Sequence, residues 1–236
     1  MVVSAFLQMR PQMKRIVKPE ILDTLPPDDP GALRSRRDLR RVNAWMQNHR
    51  TMARALKENL RGTPRQITDL GAGDGNFLLQ VAQATRLRGL NATLLDLQKN
   101  VPGETLAEFS SLGWRAEAVV ADVFDWPQME TEVVVANLFL HHFEDGELRE
   151  LFRTISARAK LFIAIEPHRF HFPFPCAQIL RLIGCNKITR HDAEASIAAG
   201  FVRKEISALW PDKTVWRLTE RRAGLFSHLF VAKKAE

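Results

Sequence analysis

Tyrosine is absent, cysteine occurs twice, and no apolar run approaches the ~18 residues needed to span a bilayer. Phenylalanine (14) and tryptophan (5) supply every aromatic side chain. Cys176 and Cys185 are too few for a disulfide framework, and no metal-ligand spacing surrounds them. The opening MVVSAFLQMRPQMKR sets a short apolar stretch ahead of its charges, the reverse of a secretory signal's order. A disulfide-stapled, secreted or membrane-spanning protein is therefore not the expectation. The cytoplasm is the expected compartment, with no membrane partner. Internal repeats and low-complexity tracts are also missing. At 236 residues and 45% hydrophobic content, the chain suits one globular domain with an N-terminal extension.

Acidic residues are scarce in that extension. Residues 1–66 hold 14 Lys/Arg against 6 Asp/Glu, a net +8, while the whole chain carries +7. The basic residues lie within an amphipathic pattern, so a solvated helix face is the plainer reading, and an RNA or acidic surface the other. Pro26-Pro27 and Asp28-Asp29 mark a linker, and Asp29-Pro30 a helix start. From Leu39 through Val42, Met46, His49, Ala53 and Leu56 to Leu60, a helical stripe follows. It fits one long helix or two shorter ones broken near Asn48. Such a stripe needs a surface to bury it, and the carboxyl end of the sheet is the expected one. Gly62-Thr63-Pro64 ends it.

What the chain does have is glycine in one place. Gly71, Gly73 and Gly75 fall within ITDLGAGDGNFLLQVA, residues 67–82. A short apolar strand runs into Asp69, a glycine turn follows, and helical spacing comes next. This is the opening strand–turn–helix of a doubly wound α/β domain that holds a nucleotide-like ligand. Glycine lets the backbone turn sharply and approach the ligand. Asp69 and Asp74 make the turn negative, which suits a cationic ligand better than a phosphate. Further strands end on polar residues: ATLLDL on Asp96, AEAVVAD on Asp122, EVVVANL on Asn137-Leu138, and KLFIAIEP on Glu166. An acid about 20 residues beyond the glycine turn can accept hydrogen bonds from ribose hydroxyls.

These segments resemble the motifs of class I S-adenosylmethionine-dependent methyltransferases. The resemblance is close over residues 60–166 and fair over the final hairpin. It implies an α/β, Rossmann-like, doubly wound, mostly parallel seven-stranded sheet, closed by a C-terminal antiparallel hairpin and carrying an N-terminal helical cap. Residues 1–60 form the extension and cap, and 61–236 the donor-binding domain, with a lid insertion at about 167–200. The donor would lie against Asp69, Gly71, Ala72, Gly73, Gly75 and Asn76. Asp96 would meet its ribose, Asp122 and Val123 its adenine, Leu97 would also line the donor site, and Asn137 and Leu138 would lie beside the methyl group. Phe139-Leu140-His141-His142-Phe143 resembles the "LHH" segment of small-molecule methyltransferases. Arg41-Val42-Asn43-Ala44-Trp45 resembles the "R-x-N-x-W" segment of small bacterial enzymes that often accompany polyketide-type pathways.

Methyl transfer from a sulfonium needs alignment, dry surroundings and, for a hydroxyl acceptor, proton removal. His142 is the first candidate for a base, with His141, Glu166 and His168 as rivals. His191 reads as a helix cap. No metal site is expected, because no His/Cys/carboxylate spacing suggests one. The implied reaction is O- or C-methylation of a small, apolar or aromatic molecule, since Asn137-Leu138-Phe139-Leu140 lacks the motif that grips an amino nitrogen. The alternatives are an RNA methyltransferase using the basic extension and a catalytically silent donor-binding scaffold. The expected strands are 66–70, 92–97, 115–121, 132–138, 160–165, 214–220 and 225–232. The expected helices are 75–88, 103–112, 145–158 and 202–209.

Overall fold

In a computed structural model, residues 14–26, 28–126, 131–170 and 176–235 are described. Helices α1 (Ile21–Thr24), α2 (Pro30–Met46) and α3 (Asn48–Asn59) precede β1 (Gln66–Leu70). Then come α4 (Asn76–Thr85), β2 (Asn91–Asp96), α5 (Gly103–Ser111), β3 (Arg115–Val120) and β4 (Val133–Asn137). A 3-10 turn (Leu140–His142), α6 (Asp145–Arg158) and β5 (Leu161–Pro167) follow. The chain ends with α7 (Cys176–Leu182), α8 (Lys187–Ala199), α9 (Glu205–Leu209), β6 (Trp216–Ala223) and β7 (Ser227–Lys234).

The seven strands form one sheet in the order β3-β2-β1-β4-β5-β7-β6. The first five are mutually parallel, and β7 runs antiparallel to both β5 and β6. Strand order reverses between β1 and β4, the switch point at whose carboxyl end open α/β sheets bind ligands. One face is covered by α3, α4 and α5, with Met52, Leu56, Leu78, Val81 and Phe109 buried against Ile67, Ile163 and Val231. The other is covered by α6 and α9, where Phe152, Phe162, Trp210 and Phe230 share an aromatic cluster.

The extension departs from the expected stripe. Asp29 does cap α2, accepting the Ala32 N–H at 2.9 Å, with Pro30 at the first helical position. Gln47, at φ 53°, then breaks the chain into two helices. The break falls where the two-helix alternative put it, and beyond it Ala53 and Leu56 of the expected stripe are buried, with Leu60 packed against the same core. In α2 the buried face is Ala32, Ser35 and Asp38, while Leu39, Val42 and Met46 are half-buried. This face packs on α8, through the Ser35–Thr189 hydroxyl pair at 2.8 Å and the Asn186 N–H donated to Asp38 at 2.7 Å. The α3 stripe lies on the face of the sheet, not on its carboxyl end; only Asn48, at the start of α3, reaches that edge.

The segment after β5 also differs from the expected lid. His168 and Arg169 belong to the sheet margin: His168 bridges to Phe201, and buried Arg169 pairs with Glu205 at 2.5 Å. Residues 171–175 lie outside the described ones. Helix α8 was not anticipated, and His191 lies within it as an exposed residue, whereas Asn186 is the residue that caps it.

Because Leu56 is 1% exposed in the core that α3 shares with β1, Leu56→Ala should lower stability by about 2–5 kcal/mol. Leu33→Ala, at a side chain 47% exposed, should change it by less than ~0.5 kcal/mol. Urea denaturation of both variants is the check; equal losses would place α3 outside the core.

Candidate active site

Strand β1 delivers the glycine turn to the switch point. Gly71, Gly73 and Gly75 all take positive φ (68°, 57° and 74°), a region that favours glycine. The Gly71 and Ala72 N–H groups donate to Leu95 O at 2.9 and 3.1 Å, and Gly75 donates to Ala72 O at 2.9 Å, so the loop is tied to β2. A Cβ on Gly71 would stand 2.2 Å from the Phe139 ring, so this glycine lets the end of β4 close on the turn. A Cβ on Gly73 would meet nothing within 4 Å, so the backbone there faces open space. Leu138, just beyond β4, is itself held at φ 53°.

The strand-end acids are placed differently from one another. Asp96 accepts the Gly73 N–H on Oδ2 at 2.8 Å and the Gln98 N–H on Oδ1 at 2.9 Å. Asp122 accepts the Phe124 N–H at 2.9 Å, and neighbouring Val123 is buried while Leu97 is exposed. Asp74 bridges the Asn76 N–H and Arg40. Asn137 accepts from Asn48 at 2.9 Å, and Asn48 in turn accepts from Ser227 at 2.7 Å. Asp69 is fully buried, and its Oδ2 has no hydrogen-bond partner. Burial first, and then the charge of Asp96, push its carboxyl well above the usual range. Buried polar atoms are nearly always paired. An unpaired carboxylate oxygen below a glycine turn that opens at Gly73 fits a ligand bringing an ammonium group, as the implied donor does.

A second constellation stands on the end of β4. Glu166, fully buried on β5, accepts the N–H groups of Phe139 (3.1 Å), Leu140 (2.9 Å) and His141 (3.3 Å), and bonds His141 Nδ1 at 2.9 Å. On the ring's other side, His141 Nε2 is 3.4 Å from Glu20. Burial alone would lower the His141 pKa, but the hydrogen bonds with Glu166 and then Glu20, with their charges, raise it to about 9. His142 is half-buried, its Nδ1 3.4 Å from Asp23. Arg15 straps the turn from outside, donating to Phe143 O at 2.5 Å and pairing with Asp145 at 3.1 Å.

Of the four base candidates, His141, His142 and Glu166 are thus brought together. His168 is not; its ring stacks on His228 at 5.7 Å, and burial, then the His228 charge, lower its pKa. Sequence reasoning missed Arg15, Glu20 and Asp23, because no local pattern marks residues 14–24 as part of the site. The partnership of Asn48 with Asn137 was equally invisible, although the helix break beside it was a signal.

The buried carboxyl of Asp69 gives a test with a sign. Its folded pKa lies above the unfolded value of ~3.9, so the folded state binds the extra proton and stability falls as pH rises from there through the folded pKa. Asp69→Asn does not titrate. It should gain stability relative to the native chain as pH rises from about 4, the unfolded value, through the folded pKa, while losing affinity for S-adenosylhomocysteine. A stability difference that is flat with pH, with unchanged affinity, would contradict this placement.

Comparison with known proteins bears on the same residues. Residues 67–160 match the family model described as a methyltransferase domain. No curated protein matches the chain. Among solved structures, the mitomycin 7-O-methyltransferase MmcR is similar at 19% identity and a TM-score of 0.60, over 91% of this chain and 60% of that one. The plantazolicin methyltransferase BpumL, in complex with a triazolic desmethylPZN analog and SAH, gives 13% and 0.64, over 88% and 92%. An O-methyltransferase family protein from Burkholderia thailandensis gives 17% and 0.56, over 88% and 61%. The chain therefore spans less than two thirds of the mitomycin enzyme. At these identities the likeness establishes a shared fold. The family match falls on the residues that carry the glycine turn and three of the strand ends, so residues 67–160 are those of a methyltransferase domain, and the fold around them is the one these solved structures share.

Proposed function

We propose that the chain is a class I S-adenosylmethionine-dependent methyltransferase that methylates a small, apolar or aromatic molecule at oxygen or carbon. The observation that carries this reading is enclosure: residues 15–23 cross the histidine turn, leaving His141 buried and His142 half-open. Such a roofed site suits a small acceptor and not a folded polymer. Phe139, Phe143 and Phe124, in edge-on contact at 5.0 and 5.4 Å, supply an apolar wall beside the glycine turn. Several basic residues of the extension already hold carboxylates: Arg15 pairs with Asp145, Arg40 with Asp74 and Arg41 with Asp38. This weakens the case for an RNA-binding surface. The similar mitomycin enzyme is a 7-O-methyltransferase, which is consistent with an oxygen acceptor here.

The bound donor supplies a methyl group on a sulfonium, an excellent leaving group. The protein's part is to bind and align. Asp69 and the backbone at Gly71–Gly73 take the donor's amino acid end, Asp96 its ribose, and Asp122, Val123 and Leu97 its adenine. Alignment of donor and acceptor supplies most of the rate gain in a displacement of this kind. An acceptor hydroxyl must also lose a proton. Glu166 is occupied by four hydrogen bonds and His141 is clamped between two carboxylates, so His142, with its partly open ring, is assigned the contact with the acceptor.

Asp96→Ala should weaken S-adenosylhomocysteine binding at least tenfold, since charge-assisted hydrogen bonds worth ~1.5–3 kcal/mol are lost. Calorimetry measures this, and an unchanged affinity removes Asp96 from the donor site. Labelled-methyl transfer to a panel of small phenols and hydroxylated heteroaromatics should exceed transfer to total RNA; transfer to RNA alone would overturn the reading.

A further inference from the structure

Glu20, His141 and His142 come from distant parts of the chain, yet one ligand atom from each lies within 4.8 Å of the other two. The edge between Glu20 Oε1 and His141 Nε2 is 3.4 Å. Donors held by a tetrahedral cation at ~2.1 Å stand about 3.4 Å apart, so this edge already has the spacing of a metal site. The orientation is also set. His141 Nδ1 bonds the buried Glu166 at 2.9 Å, which leaves Nε2 directed at Glu20. A carboxylate behind a histidine in this way fixes the tautomer and ring angle of a metal ligand. Glu20 is steadied in turn by the Ser196 hydroxyl, which donates to its Oε1. His142, with a side chain 28% exposed, forms the open side through which an ion or an acceptor can enter.

We propose that Glu20, His141 and His142 bind one divalent first-row transition ion at the mouth of the active site. Two imidazoles and a carboxylate favour zinc, cobalt, manganese or iron over the all-oxygen ions calcium and magnesium. Uptake is balanced by loss of the proton on His141 Nε2 to solvent, and the ion's charge then faces both Glu20 and Glu166. No sequence spacing announces this site, because its carboxylate lies near the chain's start. The functional consequence rests on the methyl-transfer reading. An acceptor hydroxyl bound to the ion gives its proton to water, and its oxygen forms the new bond to the methyl carbon. The C–S bond breaks with its electron pair left on sulfur. His142 then acts on the acceptor through the ion it holds.

The test uses the full, tag-free chain stripped with EDTA and titrated with Zn²⁺ by calorimetry and with Co²⁺ by visible absorption. The native chain should take up one equivalent of Zn²⁺ and give cobalt bands of a four- or five-coordinate site. His142→Ala and Glu20→Gln should each weaken uptake about tenfold or more, whereas His168→Ala should not. Circular dichroism of the metal-free variants checks that they are folded. No uptake by the native chain, or uptake indifferent to both variants, overturns the proposal. S-adenosylhomocysteine binding on the same metal-free samples reads the donor site separately. Donor binding without ion uptake removes the metal site and leaves the methyl-transfer reading standing. Ion uptake without donor binding supports the metal site and overturns that reading.

Discussion

The Glu166 carboxylate is the constraint on which the histidine turn depends. It is buried at the end of β5, where an isolated charge would be strongly disfavoured. It is stabilised there by three backbone N–H groups and the His141 ring, all from the segment that leaves β4. Those four contacts hold the turn that presents both histidines, and they do so from the neighbouring strand of the same sheet. Removing the charge would free the turn; removing the turn would leave the charge unpaired. Each justifies the other's position.

Similar chemistry assembles the cap. Asp192 in α8 accepts the N–H groups of Ile21 and Leu22 at 2.9 and 3.0 Å, and Asp38 in α2 accepts that of Asn186. Asn186 also donates to Gly31 O, which ties the start of α8 to the start of α2. Buried acids thus satisfy backbone donors across long sequence separations, and they bring Glu20 and Asp23 over the histidine turn. The glycine turn shows the opposite arrangement. There Asp69 is buried with one carboxyl oxygen unpartnered, a cost to stability that the ammonium of the proposed donor would relieve.

The sheet and the glycine turn were largely legible in the sequence. Strand and helix alternation predicted all seven strands within a few residues, since buried parallel strands are apolar runs and the glycines mark the turn by conformational need. Asp69, Asp96 and Asp122 followed from strand ends. The acceptor side was only half legible. His141 and His142 were visible, but which of the pair is clamped depends on Glu166 and Glu20, and no local pattern encodes a contact with residue 20. The α2 half of the stripe misled because the face that helix buries on α8 is Ala32, Ser35 and Asp38, small or polar residues that an apolar count passes over. Helix α8 was missed because its buried face is Thr189, Asp192, Ala195 and Ala199, small or polar residues that give little periodic signal.

On the proposed function, the Glu166-held turn serves the acceptor while the glycine turn serves the donor. Steady-state methyl transfer and S-adenosylhomocysteine calorimetry on Glu166→Gln test it most directly. The account predicts a loss of kcat of at least tenfold with donor affinity changed by less than about twofold, the loss reflecting a misplaced histidine turn. Full activity in this variant, or loss of donor binding with a folded chain, would contradict it.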